Sequence, residues 1–194
     1  LGGAEDATGY INPLNNRTTY FSDISDKNVK PNLSEVSTNR ASISKYPNQA
    51  YTILNSSEIV FHPNYANVMF LGADNVFYRS TNAGAKFDTL YTFSATARVL
   101  EIEISWSNPQ VIYCIVRDGG VGRIYRSSNG GNSFNQMTAI PSNNQSRLDV
   151  TLDPHNENNL WVSTYYGANG QKVYNSTDGG LVWVNKTTAS LDGH

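Results

Sequence analysis

Along most of the chain, apolar side chains alternate with polar ones in short runs. Ile102, Ile104 and Trp106 share one side of a two-residue period, as do Leu148, Val150 and Leu152. The runs are separated by clusters of Pro, Asn, Asp, Ser and Gly. This period and turn density predict β-strands throughout and no helix. Four stretches repeat one order: an alternating strand, a Pro/Asn turn, then a second apolar strand. They run from Gly9 to Tyr20, Glu58 to Phe70, Glu103 to Tyr113 and Leu148 to Trp161. Their prolines, Pro13, Pro63, Pro109 and Pro154, stand 50, 46 and 45 residues apart. The chain therefore divides into about four units, 1–50, 51–97, 98–143 and 144–194, each expected to hold four antiparallel strands. The first unit is degenerate or partial. Strands are expected near 8–11 and 18–22, but its third and fourth would fall in the polar, irregular stretch 21–47.

A second pattern follows the paired strands in the last three units. It reads Tyr78-Arg-Ser80-Thr-Asn82-Ala-Gly84-Ala-Lys-Phe87, then Tyr125-Arg-Ser127-Ser-Asn129-Gly-Gly131-Asn-Ser-Phe134, then Tyr174-Asn-Ser176-Thr-Asp178-Gly-Gly180-Leu-Val-Trp183. The serines are 47 and 49 residues apart, a spacing that marks one supersecondary unit of an array or propeller. The Ser and Asn/Asp side chains can bond nearby backbone groups. The glycine supplies a backbone angle that other residues resist. The closing Phe or Trp is placed to fold back as an apolar plug, so Phe87, Phe134 and Trp183 are expected to be buried.

This repeat resembles the Asp-box, the bacterial neuraminidase repeat found in β-propellers of sialidases, sortilin-type receptors, xyloglucan-cleaving hydrolases and photosystem assembly factors. The resemblance covers about residues 50–190. It implies an all-β fold of four-stranded antiparallel blades, with the box between the third and fourth strands and away from any active site. Two copies carry Asn82 and Asn129 where the family has Asp, which keeps the acceptor oxygen and drops the charge. Asp-box propellers usually have six or more blades, so the remaining blades of the same propeller are expected outside these residues.

Composition narrows the function classes. Net charge is −2 without a charge run, which disfavours a nucleic-acid groove or an anionic membrane surface. No apolar stretch is long enough for a transmembrane helix, so no membrane insertion is expected, and no signal peptide is visible. The single cysteine, Cys114, lies in an apolar strand and reads as core. Aromatic residues and Asn, Ser and Thr are abundant, while charged residues make up 15%. This resembles turn-rich extracellular or cell-surface β-proteins, including surface propellers of Bacteroidota-type bacteria. Sequons occur at Asn16, Asn32, Asn55, Asn144, Asn175 and Asn185.

Candidate chemistry is sparse, and no cofactor or metal is implied. Xyloglucan hydrolases with this blade type use two facing aspartates, and Asp6 is the single best candidate here. Glu5, Asp23, Asp26, Asp74 and Asp118 read as turn carboxylates. The sialidase arginine triad is absent, because Arg79 and Arg126 occupy the same place in two repeats. His62, His155 and His194 do not converge at metal-ligand spacing. A calcium loop at 118–122 is the remaining metal option. Tyr165 and Tyr166, in a loop between the second and third strands of the last unit, are candidate ligand-binding residues. Trp106 and Trp161 lie on apolar strands and read as core. Two classes of function stand open: a binding or scaffold propeller meeting a protein or polysaccharide, and a glycoside hydrolase whose second acid lies outside this chain.

Overall fold

The computed structural model describes residues 9–21, 28–29, 41–42, 57–84 and 86–191. Glu5, Asp6, Asp23, Asp26 and His194 lie outside them. In the first unit, β1 (Gly9–Asn12) pairs with β2 (Asn15–Phe21), and β3 (Asn28–Val29) pairs with β4 (Ala41–Ser42). Three meanders follow. The first is β5 (Val60–Phe61), β6 (Met69–Ala73), β7 (Val76–Ser80) and β8 (Asp88–Thr92). The second is β9 (Arg98–Ile104), β10 (Ile112–Asp118), β11 (Val121–Ser127) and β12 (Asn135–Gln136). The third is β13 (Leu148–Asp153), β14 (Asn156–Thr164), β15 (Val173–Ser176) and β16 (Val184–Asn185). Each is a four-stranded antiparallel sheet with its strands in chain order. Among the described residues the one departure from strand and turn is a 3-10 turn at Ala189–Leu191.

The sheets stack face to face, and each seam is apolar. Phe70, Phe77, Phe93 and Phe134 meet Ile102, Ile112 and Cys114 between the first and second meanders. Tyr113, Ile115 and Ile124 meet Leu148, Leu160 and Tyr174 between the second and third. The strand β10 is covered on both sides, so Ile112, Tyr113, Cys114, Ile115 and Val116 are all buried and the sequence there shows no alternation. A third cluster, around Met69, Leu71 and Phe87, packs against Tyr10 of the β1–β2 hairpin. The buried Asn12 ties that hairpin on by donating to the Ala66 carbonyl at 2.7 Å.

The three ten-residue repeats fold into one hydrogen-bonded turn. Ser80, Ser127 and Ser176 each accept from the backbone N–H of Gly84, Gly131 and Gly180 at 2.9 Å. Each serine also donates to the side chain two residues on, Asn82, Asn129 or Asp178. That side chain in turn accepts from a backbone N–H four residues further, at Lys86, Ser133 or Val182. The first box residue after each Asn/Asp, Ala83, Gly130 or Gly179, donates back to the Pro/Asn turn of its own sheet, at Asn67, Gln110 or Asn158. Asparagine serves as well as aspartate because every bond to its Oδ1 needs only an acceptor.

The Pro/Asn turns have their own repeated device. The residue before the proline accepts a backbone N–H two positions later: Leu14 to Asn12, Asn64 to His62 Nδ1, and His155 to Asp153. In the second meander Asn108 likewise accepts from the Gln110 N–H at 3.3 Å, and the Asn108 N–H donates to Ser105 Oγ. His62 is thus a turn acceptor, and burial pushes its pKa down, which keeps Nδ1 free to accept.

The tryptophans depart from the core expectation. Trp106 is 61% exposed and Trp161 is 41% exposed. Trp106 follows the end of β9, where the strand has already left the seam. Trp161 lies on the side of β14 that faces away from the second meander; its partner residues in the repeat, Phe70 and Tyr113, are each covered by the next sheet. Phe87 and Phe134 are buried, but Trp183 is only half-buried, because its indole N–H reaches out to the Thr138 carbonyl at 2.8 Å. Asn175, though in a sequon, is buried with its amide donating to Asn159 and Leu160.

Candidate functional site

Each meander places its first strand on the same side of the stack, where β9 approaches both β5 and β13. A groove of about 1290 Å³ follows these strands. Four carboxyl groups from three meanders line it: Glu58, Glu101, Glu103 and Asp149. Glu101 reaches across the seam and accepts from the Val150 N–H of the next sheet, its two oxygens at 3.2 and 3.3 Å. Burial, with the charge of Asp149 adding to it, raises the Glu101 carboxyl to about 8. Burial, Asp149 and Glu58 raise Glu103 to about 7. The floor of the groove therefore holds a proton-retaining acid pair beside Glu58 and Asp149.

Folded Glu101 keeps a proton up to about pH 8, whereas the unfolded chain loses it near the ordinary value of 4.5. The stabilisation is full below the unfolded value and is lost as pH rises through the folded one. The melting temperature is expected to fall by several degrees between pH 5 and pH 9, and Glu101→Gln is expected to flatten that slope. Melting curves that are level across this range, or identical slopes in the two proteins, would contradict the assignment.

The two ends of the groove differ. At one end stands Trp106, on a turn braced from the next sheet: Ser107 and Asn108 both donate to the Glu157 carboxylate, and the Tyr113 hydroxyl donates to the Glu157 carbonyl. Arg126 donates to that same hydroxyl at 3.0 Å, so it supports this brace. At the other end stand Arg98, Arg117, Arg147 and Tyr166. The seven residues of β9 separate the ends by roughly 20 Å. The loop carrying Tyr165 and Tyr166 is tied to the one at 141–147: Tyr165 N–H donates to the Arg147 carbonyl, Ala168 N–H to Asn143 Oδ1, and Asn143 N–H to Gln171 Oε1. Tyr165 is 66% and Tyr166 54% exposed, and Tyr166 lines the groove.

The residues singled out from sequence are thus scattered, and the groove is built mainly of others. Asp74 sits in a hairpin turn at φ 48°. Asp118 accepts from Ser94 and Thr96, which hold its pKa low, and no group of three or more His, Cys, Asp or Glu among the described residues is arranged to hold a metal ion. Glu58, Glu101, Glu103 and Asp149 were legible only as the polar positions of alternating strands. The signal that could have found them is their place: all four belong to or border the first strand of a unit, and first strands converge.

No known family pattern matches the sequence, and no curated protein matches it either. Solved structures do. The chain superposes on a GH74 enzyme from Niastella koreensis with a TM-score of 0.66 at 18% identity, covering 93% of this chain and 29% of that one. It superposes on the GH74 xyloglucanase of Xanthomonas campestris with a TM-score of 0.65 at 15% identity, covering 95% and 31%. It also matches YCF48 from Cyanidioschyzon merolae with a TM-score of 0.52 at 18% identity, covering 70% and 41%. The likeness shows the fold: the three meanders are four-stranded blades of a β-propeller. The chain spans less than half the length of each of these proteins. No helix among the described residues is long and apolar enough to cross a membrane.

Proposed function

We propose that the chain is part of a larger extracellular or cell-surface β-propeller whose blades are pinned by Asp-boxes and which binds a polysaccharide along its first-strand groove without chemistry of its own. The observation that carries this reading is the exposed Trp106 ring at one end of a long, polar-floored groove and Tyr166 at the other. Flat amphipathic rings combined with hydrogen-bonding side chains suit the faces and hydroxyls of sugars. Trp106 contributes nothing to the core, so its exposure has no folding rationale. Affinity electrophoresis against plant and microbial polysaccharides tests the reading. Retardation by at least one of them is expected, with roughly tenfold weaker binding in Trp106→Ala. Equal retardation of the variant, or none by any polysaccharide, would sink the proposal.

A second reading has its own support. A protonated Glu101 or Glu103 beside the Asp149 carboxylate is the acid-and-base pairing used by glycoside hydrolases, and GH74 enzymes share the fold. On this reading the protein cleaves a polysaccharide, with Asp6 or a groove carboxyl as one acid and its partner on another blade. Release of new reducing ends by the full-length protein, abolished in Asp6→Asn or Glu103→Gln, would establish it. A clean failure to release any would leave the binding role.

A further inference from the structure

The groove has an exposed aromatic ring at each end, and the chain beneath each ring is fixed by bonds that the blade itself does not need. The Tyr166 end is built from added length. The second and third strands of the first two blades are joined by two residues, 74–75 and 119–120, whereas the same connection in the third blade takes eight, 165–172. The connection into the first strand lengthens as well: five residues, 93–97, lead into β9, and eleven, 137–147, lead into β13. The two long connections clasp each other. Thr164 Oγ1 donates to the Asn144 carbonyl at 2.7 Å, and the Asn143 N–H donates to Gln171 Oε1 at 2.7 Å. Gly167 runs so close to the Gln171 carbonyl that there is no room for a Cβ. Tyr165 packs edge-on against Tyr166, 4.8 Å between centroids. Two blades close their sheets without this chain, so its use lies in the surface it presents.

The Trp106 end is fixed by a short turn. Ser105 is fully buried and its hydroxyl bonds that of Ser107 at 3.0 Å. Ser107 in turn donates to the Glu157 carboxylate of the next blade at 3.1 Å. The residues on both sides of Trp106 are thus held while its ring stays in solvent. Between the two rings runs β9, with the carboxyl groups of Glu58, Glu101, Glu103 and Asp149 along the groove to meet hydroxyls. The seven residues of β9 set the two ends roughly 20 Å apart, a distance that an extended chain of pyranose rings covers in about four units of about 5 Å each.

We propose that the two rings work as a pair that measures length: the groove takes a polysaccharide segment of at least four sugars lying along β9, one end of the segment stacked on Trp106 and the other on Tyr166, and it holds shorter oligosaccharides at one ring only. A single ring gives a weak contact. Once one is engaged, the second contact becomes intramolecular, and a ligand long enough to reach it gains affinity without any new kind of interaction. Because both rings stand on chain that is already fixed, little ordering cost is charged against that gain. This inference rests on the polysaccharide reading above and specifies the length of chain that the groove recognises.

Calorimetric titration of the full chain with size-fractionated ladders of cello-, xylo-, manno- and laminari-oligosaccharides, from two to eight sugars, decides it. In at least one ladder, affinity is expected to change little between two and three sugars, to rise roughly a hundredfold in a step near four to five, and to level off beyond. Trp106→Ala and Tyr166→Ala should each abolish the step, because either loss leaves one ring. Tyr166→Ala should leave disaccharide binding at Trp106 unchanged. Both side chains are exposed, so neither variant is expected to melt lower than the parent, and loss of folding does not mimic the result. Affinity that is independent of length, or that climbs evenly without a step, would overturn the pairing of the rings and leave the polysaccharide reading standing. A step that survives in either variant would do the same. Retardation by a polysaccharide without binding of any ladder would show that the recognised segment is longer than the groove and overturn the four-sugar span. Silence from every oligosaccharide and every polysaccharide would overturn both readings.

Discussion

Phe134→Ala is expected to lower the free energy of unfolding by roughly 3–5 kcal/mol, the cost of truncating a large buried aromatic in a seam that cannot collapse around the void. Phe134 closes the second box, yet its ring packs on the first blade. It meets Phe77 edge-on at 5.1 Å between centroids, and Tyr91 and Phe93 at 5.3 Å each. The ring thus couples the box turn of one blade to the third and fourth strands of its neighbour. Its loss removes both apolar burial and three aromatic contacts. Urea unfolding measures the effect directly; a change below about 1 kcal/mol would show that the ring is not a plug between blades.

Gly131→Val is the second large effect. Gly131 has φ +89°, a conformation that a β-branched residue resists. A Cβ there would also lie 2.5 Å from Phe77 Cε1 and 3.1 Å from Leu90 Cδ2. Strain and overpacking together are expected to cost roughly 3 kcal/mol or more. Gly119→Val is the matched control, because Gly119 also has positive φ but nothing lies within 4 Å of its would-be Cβ. Equal losses in the two variants would mean that backbone strain alone is at work and that the close approach of the box to the neighbouring blade is unimportant.

What could be read from the sequence depended on whether a feature is local. The Ser–Asn/Asp–Gly turns form within ten residues, so their spacing and chemistry carry them. The strand order follows from short turns that force neighbours to pair. Burial is decided by which sheet lies next door. Trp106 and Trp161 looked like core because they continue apolar alternation, but Trp106 lies past the end of its strand and Trp161 sits on a face that no sheet among the described residues covers. Trp183 matched the plug position of Phe134, but its N–H needs a partner, and the Thr138 carbonyl pulls it outward. The groove was invisible for the same reason. Glu58, Glu101, Glu103 and Asp149 are spread over ninety-odd positions and meet only because first strands converge, and Arg98 meets Arg117 through a cross-strand register that no local pattern encodes.

Hydrogen–deuterium exchange of the full chain, with and without saturating oligosaccharide, most directly tests the claim that function resides on the converging first strands. Protection is predicted at 98–106, 146–150 and 165–167, with the box turns at 80–84, 127–131 and 176–180 unchanged. Protection confined to those turns, or to the outer strands β8, β12 and β16, would contradict it.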